Sequence, residues 1–233
     1  MCGRSSLTKT EKELEERFNA SFYSEDLERY NPLPNYNVAP SYITPVITNI
    51  DPEHFSAFRW GLIPFWAKDI KIGYKMINAR KETVLEKNTF KKAVASRRCI
   101  VPFDGFYEWK KTPSGKEPYR IITTDQEIFT VAGLWDKWVN EKGEEVFSFT
   151  LLTQDPNTVV GEIHDRMPVI LRKDQEDLWL SDDLSPQQLV DMLEPYPDEY
   201  TKAYQVSKSV NNVRNNSAEL IEPVEDSTPT LFD

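Results

Sequence analysis

Cys2 has the most distinctive chemistry of any residue in this chain. It directly follows Met1 in Met1-Cys2-Gly3-Arg4. Once Met1 is removed, Cys2 presents an α-amine and a thiol on adjacent carbons, a pair that no internal cysteine can offer. The amine condenses with an aldehyde to a Schiff base, and the thiol then closes a five-membered thiazolidine ring. A terminal α-amine titrates near about pH 8, well below a lysine, so a useful fraction is neutral and nucleophilic. Taken alone, a cysteine at position 2 reads first as an accident of a frayed terminus, and the rest of the sequence has to overturn that reading. Other catalytic signatures are missing: there is no Walker loop, Gly-x-Gly-x-x-Gly, His-Glu-x-x-His or Cys-x-x-Cys. With only His54 and His164, a His-rich metal site is out of reach. Cys2, Cys99 and both histidines make a zinc set only on paper. Neither metal nor cofactor is expected.

The elements that must position such a terminus read as strands. Residues 36–60 are extended, with prolines at the bends, and strand-like runs recur at Cys99–Pro102, Gly105–Trp109, Tyr119–Ile122, Phe129–Trp135 and Phe147–Thr153. Their spacing, with Gly, Pro and Asp between, argues for mostly antiparallel pairing rather than βαβ units. Short helices are expected at 8–20, at 79–95 ending before Arg97-Arg98, at 155–161, at 174–180 and at 185–194, where Ser185-Pro186 forms a cap and a first-turn proline. The expected fold is α+β: one β-rich domain with strongly curved, barrel-like sheets and several short helices. The domain is placed at residues 1–212, with 213–233 an acidic, weakly ordered tail.

The chain has 233 residues, 39% hydrophobic and 12% aromatic, which suits one globular domain with a substantial core. No apolar run is long enough to span a membrane and no secretory leader follows Met1, while two cysteines make no disulfide framework. A cytoplasmic monomer is expected. The net charge of −10 argues at first against a nucleic-acid partner. The acidity is local, however. Residues 174–200 hold nine Asp or Glu and no Lys or Arg, and 217–233 hold five more, so the remainder is net basic. Those two segments read as an acidic helix face and a solvated tail.

Several dense segments are too specific for generic core. They are Met1–Arg4; Asn37-Val38-Ala39-Pro40; Arg59–Ala67 with Ile77-Asn78-Ala79-Arg80-Lys81-Glu82-Thr83; Arg97–Trp109, which includes Phe106-Tyr107-Glu108-Trp109; Ala132-Gly133-Leu134-Trp135; and Ile163-His164-Asp165-Arg166-Met167-Pro168. In this order they resemble the SOS-response-associated-peptidase family, from Met1 to about Asn212. Members of that family crosslink abasic sites in DNA. The resemblance implies that Cys2, freed of Met1, is the covalent nucleophile toward the aldehyde of an abasic site in single-stranded DNA.

Three helpers follow from the same resemblance. Glu108 matches the family's active-site glutamate, and partial desolvation between Tyr107 and Trp109 would raise its pKa toward neutrality for proton relay. Its alternation with Phe106 equally suits a glutamate on the solvent face of a strand. His164 matches the family's histidine and would protonate the sugar ring oxygen; a surface histidine is the plain alternative. Asn78 matches the asparagine beside the reacting sugar, or else ends a strand in a turn. For holding DNA, Arg4, Arg80 and Arg166 suit phosphate contacts, as do Arg97 and Arg98, which also read as a helix C-terminal pair. Phe65 and Trp66 suit base stacking, and Pro40 matches a position lining the DNA cleft. Trp60 and Trp135 read as core. Two other functions stay open: a Cys2-dependent thiol peptidase acting on its own N-terminus or on other proteins, and a non-covalent single-strand scaffold.

Overall fold

The computed structural model describes residues 2–224. In chain order the strands are β1 (Ser5–Leu7), β2 (Ser21–Phe22), β3 (Asn35–Val38), β4 (Ile43–Thr48), β5 (Asp51–Trp60), β6 (Asn78–Arg80), β7 (Arg98–Phe103), β8 (Gly105–Thr112), β9 (Gly115–Thr123), β10 (Phe129–Val139), β11 (Glu145–Gln154), β12 (Met167–Pro168), β13 (Ile170–Leu171) and β14 (Thr201–Gln205). The α-helices are α1 (Glu11–Phe18), α2 (Asn88–Ser96), α3 (Thr158–Gly161), α4 (Lys173–Leu180) and α5 (Pro186–Asp191).

Five strands close on themselves. β11, β10, β7, β4 and β5 are hydrogen-bonded in that order, and β5 returns to β11, so the ring has no free edge. Its alternating residues fill the interior with Val46, Phe58, Trp60, Cys99, Val101, Phe103, Phe129, Val131, Phe149 and Leu151. Each such side chain taken from water contributes about 1.5–3 kcal/mol. Around the outside, α1, α2, α4 and α5 bury Leu14, Phe90, Trp179 and Leu189 in a second cluster.

The second sheet, in the order β14-β9-β8-β1-β3, lays β1 between β8 and β3. Phe106 of β8 faces the barrel cluster, whereas Tyr107 faces a third cluster with Val206, Val210 and Leu220. Because both faces of β8 are covered, the alternation that suggested a solvent-facing Glu108 does not hold. Glu108 lies on the Phe106 side, with period two.

Most pairings are antiparallel, but β5 and β6 both run parallel to β11, one after the other along the same edge. The chain leaves the ladder after Trp60, makes an excursion over residues 61–77, and rejoins it at Asn78 opposite Leu151. This return accounts for a helix that does not form. Instead of a helix from 79, residues 78–80 extend β6, Lys81–Thr83 make one 3-10 turn, and α2 begins only at Asn88. Near the start, α1 is capped by Thr10 in a capping box with Glu13, while Thr8 bonds the Asp104 carboxylate.

Two further expectations shift. In the acidic stretch 174–200, Glu176 is buried and bonded to Arg17 and Thr130, so that helix face is only partly solvated. Residues 213–224 do not hang free. Leu220 is buried against Tyr107, Val206 pairs with Pro223, and Asn37 Nδ2 donates to the carbonyls of Asn212 and Asn215. The packed domain therefore extends past 212. Glu225, Asp226 and Asp233 of the expected acidic tail lie outside the described residues.

Candidate active site and nucleic-acid interface

The start of the chain is held on both sides. Ser5 pairs with Phe106 of β8 and with Val38 of β3, and the Tyr107 N–H donates to the Arg4 carbonyl at 2.9 Å. Extending the β1–β8 register by two residues sets Gly3 opposite Glu108. The Arg4 guanidinium donates to Asn37 Oδ1 at 2.6 Å and to the Val210 carbonyl at 2.7 Å, and it lies over the Trp109 ring. Behind β1, Asp104 accepts from Ser6, Thr8 and the buried Arg120. These contacts remove the fraying that a chain start otherwise shows.

Cys2 is fully buried at the edge of the barrel cluster. Its carbonyl accepts a hydrogen bond from Asn78 Nδ2 at 2.7 Å. Burial pushes its thiol pKa up, and the neighbouring Glu108 pushes in the same direction. The thiol is therefore held in its protonated form, the opposite of the depressed pKa that a thiolate–imidazolium peptidase pair needs. Asn78 Oδ1 is buried and has no hydrogen-bond partner among the described residues, which leaves an acceptor beside Cys2.

Glu108 is 3% exposed, and burial pushes its carboxyl up to about 7. His164 Nε2 lies 3.8 Å from Glu108 Oε2, within reach of a proton transfer through a small shift or one bridging atom. The imidazole hangs from the turn after α3, where the His164 backbone N–H donates to the Val160 carbonyl at 2.9 Å. The Arg166 N–H donates to His164 Nδ1 at 3.1 Å. Asp165 Oδ1 lies 3.0 Å from the same nitrogen, but Asp165 is 90% exposed at the side chain. Nδ1 cannot accept from one and donate to the other. The buried backbone donor is the firmer partner and fixes the proton on Nε2, facing Glu108. Burial lowers the His164 pKa, which favours this neutral form.

Asn78, Glu108 and His164 thus gather around Cys2 from β6, β8 and the turn after α3. Beside β6, Thr153 of β11 carries no sequence signal, being one threonine in an apolar strand. It pairs with Arg80 and Pro168, and its hydroxyl is buried without a partner among the described residues.

The residues expected to hold DNA divide. Phe65 and Trp66 are 59% and 53% exposed on the 61–77 excursion, Arg80 is exposed at the end of β6, and Pro40 is half-buried after β3. Arg97, partly exposed, reaches toward Asp136 at 3.6 Å and lines a pocket of about 130 Å³ with Phe65, Trp66 and Lys92. Arg98 is a correction. It is 1% exposed and donates to the carbonyls of Val94, Ala95, Trp179 and Ser181, closing the C-termini of α2 and α4. The helix-end reading of the Arg pair holds for Arg98, which has no face for a phosphate. Arg166 is likewise buried, bonded at two points to Glu82, to Asp155, and to the Thr153 carbonyl. Arg4 spends its guanidinium on anchoring β1. Ten Lys or Arg face only three Asp or Glu between Arg59 and Arg97, and Lys68, Lys71 and Lys75 of the excursion belong to that basic lobe.

Among the described residues no group of three or more His, Cys, Asp or Glu is arranged to hold a metal ion, and no helix is long and apolar enough to cross a membrane. The chain matches the family described as SOS response associated peptidase over residues 1–213. It is 45% identical over 225 residues to the abasic site processing protein YoqW of Bacillus subtilis, covering 95% of this chain and 99% of that one. It is 35% identical over 229 residues to the abasic site processing protein HMCES of Xenopus tropicalis, covering 83% of this chain and 67% of that one. A crystal structure of a protein from Bacteroides thetaiotaomicron superposes with a TM-score of 0.89 at 29% identity, covering 96% of this chain and all of that one. With its curved barrel, with Asn78, Glu108 and His164 gathered near Cys2, and with a family match over nearly its whole length, this chain belongs to the SOS response associated peptidase family.

Proposed function

We propose that this protein processes abasic sites in single-stranded DNA by forming a covalent thiazolidine through Cys2 once Met1 has been removed. The observation that carries this reading is the convergence on Cys2 of a neutral imidazole, a carboxyl ionising near pH 7 and an amide. The names of the similar proteins point to the same lesion. An abasic sugar is mostly a closed hemiacetal, so its aldehyde must first be released. His164 Nε2–H protonates the ring oxygen while Glu108, as carboxylate, takes the proton of the C1′ hydroxyl and passes it to Nε2, so that both groups end as they began. The Cys2 amine adds to the aldehyde carbon, and its two protons pass by way of Glu108 to the oxygen, which leaves as water. The thiol then adds across the carbon–nitrogen double bond, its sulfur bonding to C1′ and its proton passing to nitrogen. Aldehyde plus aminothiol thus gives thiazolidine plus one water, with no oxidant or metal consumed. Asn78 steadies the Cys2 carbonyl through these steps.

Intact mass of the purified chain, alone and after incubation with an abasic oligonucleotide, tests the scheme. The expected result is loss of Met1 and an adduct heavier by the oligonucleotide less one water, stable to denaturation and absent in Cys2→Ala. Cys2→Ser should yield only a labile imine that borohydride can trap. An adduct that persists in Cys2→Ala would overturn the assignment.

A further inference from the structure

The excursion between β5 and β6 carries a third exposed aromatic side chain. Tyr74 is 60% exposed on the 3-10 helix Ile70–Lys75, close before Asn78. Its backbone is held firmly. Gly61 and Gly73 meet so closely that a Cβ on either would come within 2.6–2.7 Å of the other's carbonyl oxygen, and the Leu62 N–H donates to the Met76 carbonyl at 3.0 Å. Arg59 of β5 sets its guanidinium 5.8 Å from the centre of the Tyr74 ring and donates through Nη1 to the Ser41 carbonyl at 3.0 Å. Ser41 follows Pro40 and sits at φ 77°, a left-handed conformation that serine rarely adopts. Its N–H donates to the Trp60 carbonyl, Trp60 Nε1 donates to the Ile77 carbonyl, and Asn78 donates to Cys2. A continuous hydrogen-bonded frame therefore joins the Arg59–Tyr74 pair to the nucleophile.

An exposed ring braced by a guanidinium, on a lobe with ten Lys or Arg against three acids, matches a polyanion with flat apolar groups. We propose that Tyr74 and Arg59 form a nucleotide subsite outside the lesion pocket. Tyr74 stacks on one base of the single strand and Arg59 pairs with the adjoining phosphate. This rests on the reading of the chain as a single-strand DNA binder. It adds a contact that takes any base, since a ring face reads no base edge.

Binding of the full chain to oligothymidylates of increasing length tests the subsite, with fluorescence anisotropy as the readout. Tyr74→Ala should weaken binding about tenfold on long oligomers, as the loss of one stacked base predicts. It should match the parent on oligomers too short to reach position 74. Tyr74→Phe should bind as the parent does, and Arg59→Met should flatten the log–log salt dependence by about 0.7. Parent-like binding by Tyr74→Ala at every length overturns the subsite, and so does an equal loss at every length including the shortest. If the parent itself fails to bind any oligothymidylate, the single-strand reading falls and the subsite with it. If the parent binds and crosslinks while Tyr74→Ala is unchanged, only the subsite falls.

Discussion

A carboxyl group that ionises near neutrality can serve the proposed chemistry in both of its forms, as base toward the sugar hydroxyl and as acid toward the departing water. Glu108 reaches that condition through burial, which has a consequence for stability. Its folded pKa of about 7 lies above the value of 4.5 it has when unfolded, so between those values the folded state binds the extra proton. The folded state is favoured below about pH 4.5, and that advantage is lost as pH rises through 7. Glu108→Gln, neutral at every pH, should therefore be more stable than the parent by about 1–3 kcal/mol at pH 8 and close to it near pH 4.5. Urea unfolding at the two pH values checks this. The same variant should lose the rise in crosslinking rate through pH 7. Equal stability of parent and variant at pH 8 would show that Glu108 is not held in a desolvated site.

The elements around the site are tied together by arginines that resemble DNA contacts in the sequence. Arg98 anchors β7 and satisfies the last carbonyls of α2 and α4 at once. Arg98→Ala should cost about 3 kcal/mol or more, because several buried carbonyls lose their donor together. Arg97→Ala should change stability by less than about 0.5 kcal/mol and weaken DNA binding instead. Thermal unfolding alongside oligonucleotide titration separates the two neighbours. The strand runs of β7 to β11 were legible from their alternation and turns, and β8–β9 and β10–β11 are local hairpins. The barrel's closure was not, since β5 and β6 join β11 from far away in sequence and run parallel to it. For the same reason a helix was expected from 79, where Asn78–Arg80 in fact extends β6. Glu108 and His164 could be named by motif, but the backbone donor that fixes the imidazole proton depends on the fold. Tyr74 and Thr153 carried no local signal at all.

Across the whole molecule the charge is separated. The lobe from Arg59 to Arg97 is basic, while 174–200 and 217–233 hold fourteen Asp or Glu and no Lys or Arg. Attraction to a strand at the lobe is set against repulsion elsewhere, which favours one docking orientation. If the lobe holds three or four phosphates, the affinity for undamaged single strands should fall with salt at a log–log slope of about −2 to −3. A salt titration by anisotropy reads this directly, and a slope near zero would argue against phosphate contacts.

The Arg4 clamp onto the Val210 carbonyl also bears on biosynthesis. Residue 4 leaves the ribosome first, yet its partners in β8 and at Val210 are made much later. Until most of the chain has been translated, the leading segment has nothing to dock on and stays open to amino-terminal processing. After docking, Cys2 is fully buried. Removal of Met1 during synthesis, before Cys2 is buried, would give a folded protein whose amine is already free for the proposed chemistry.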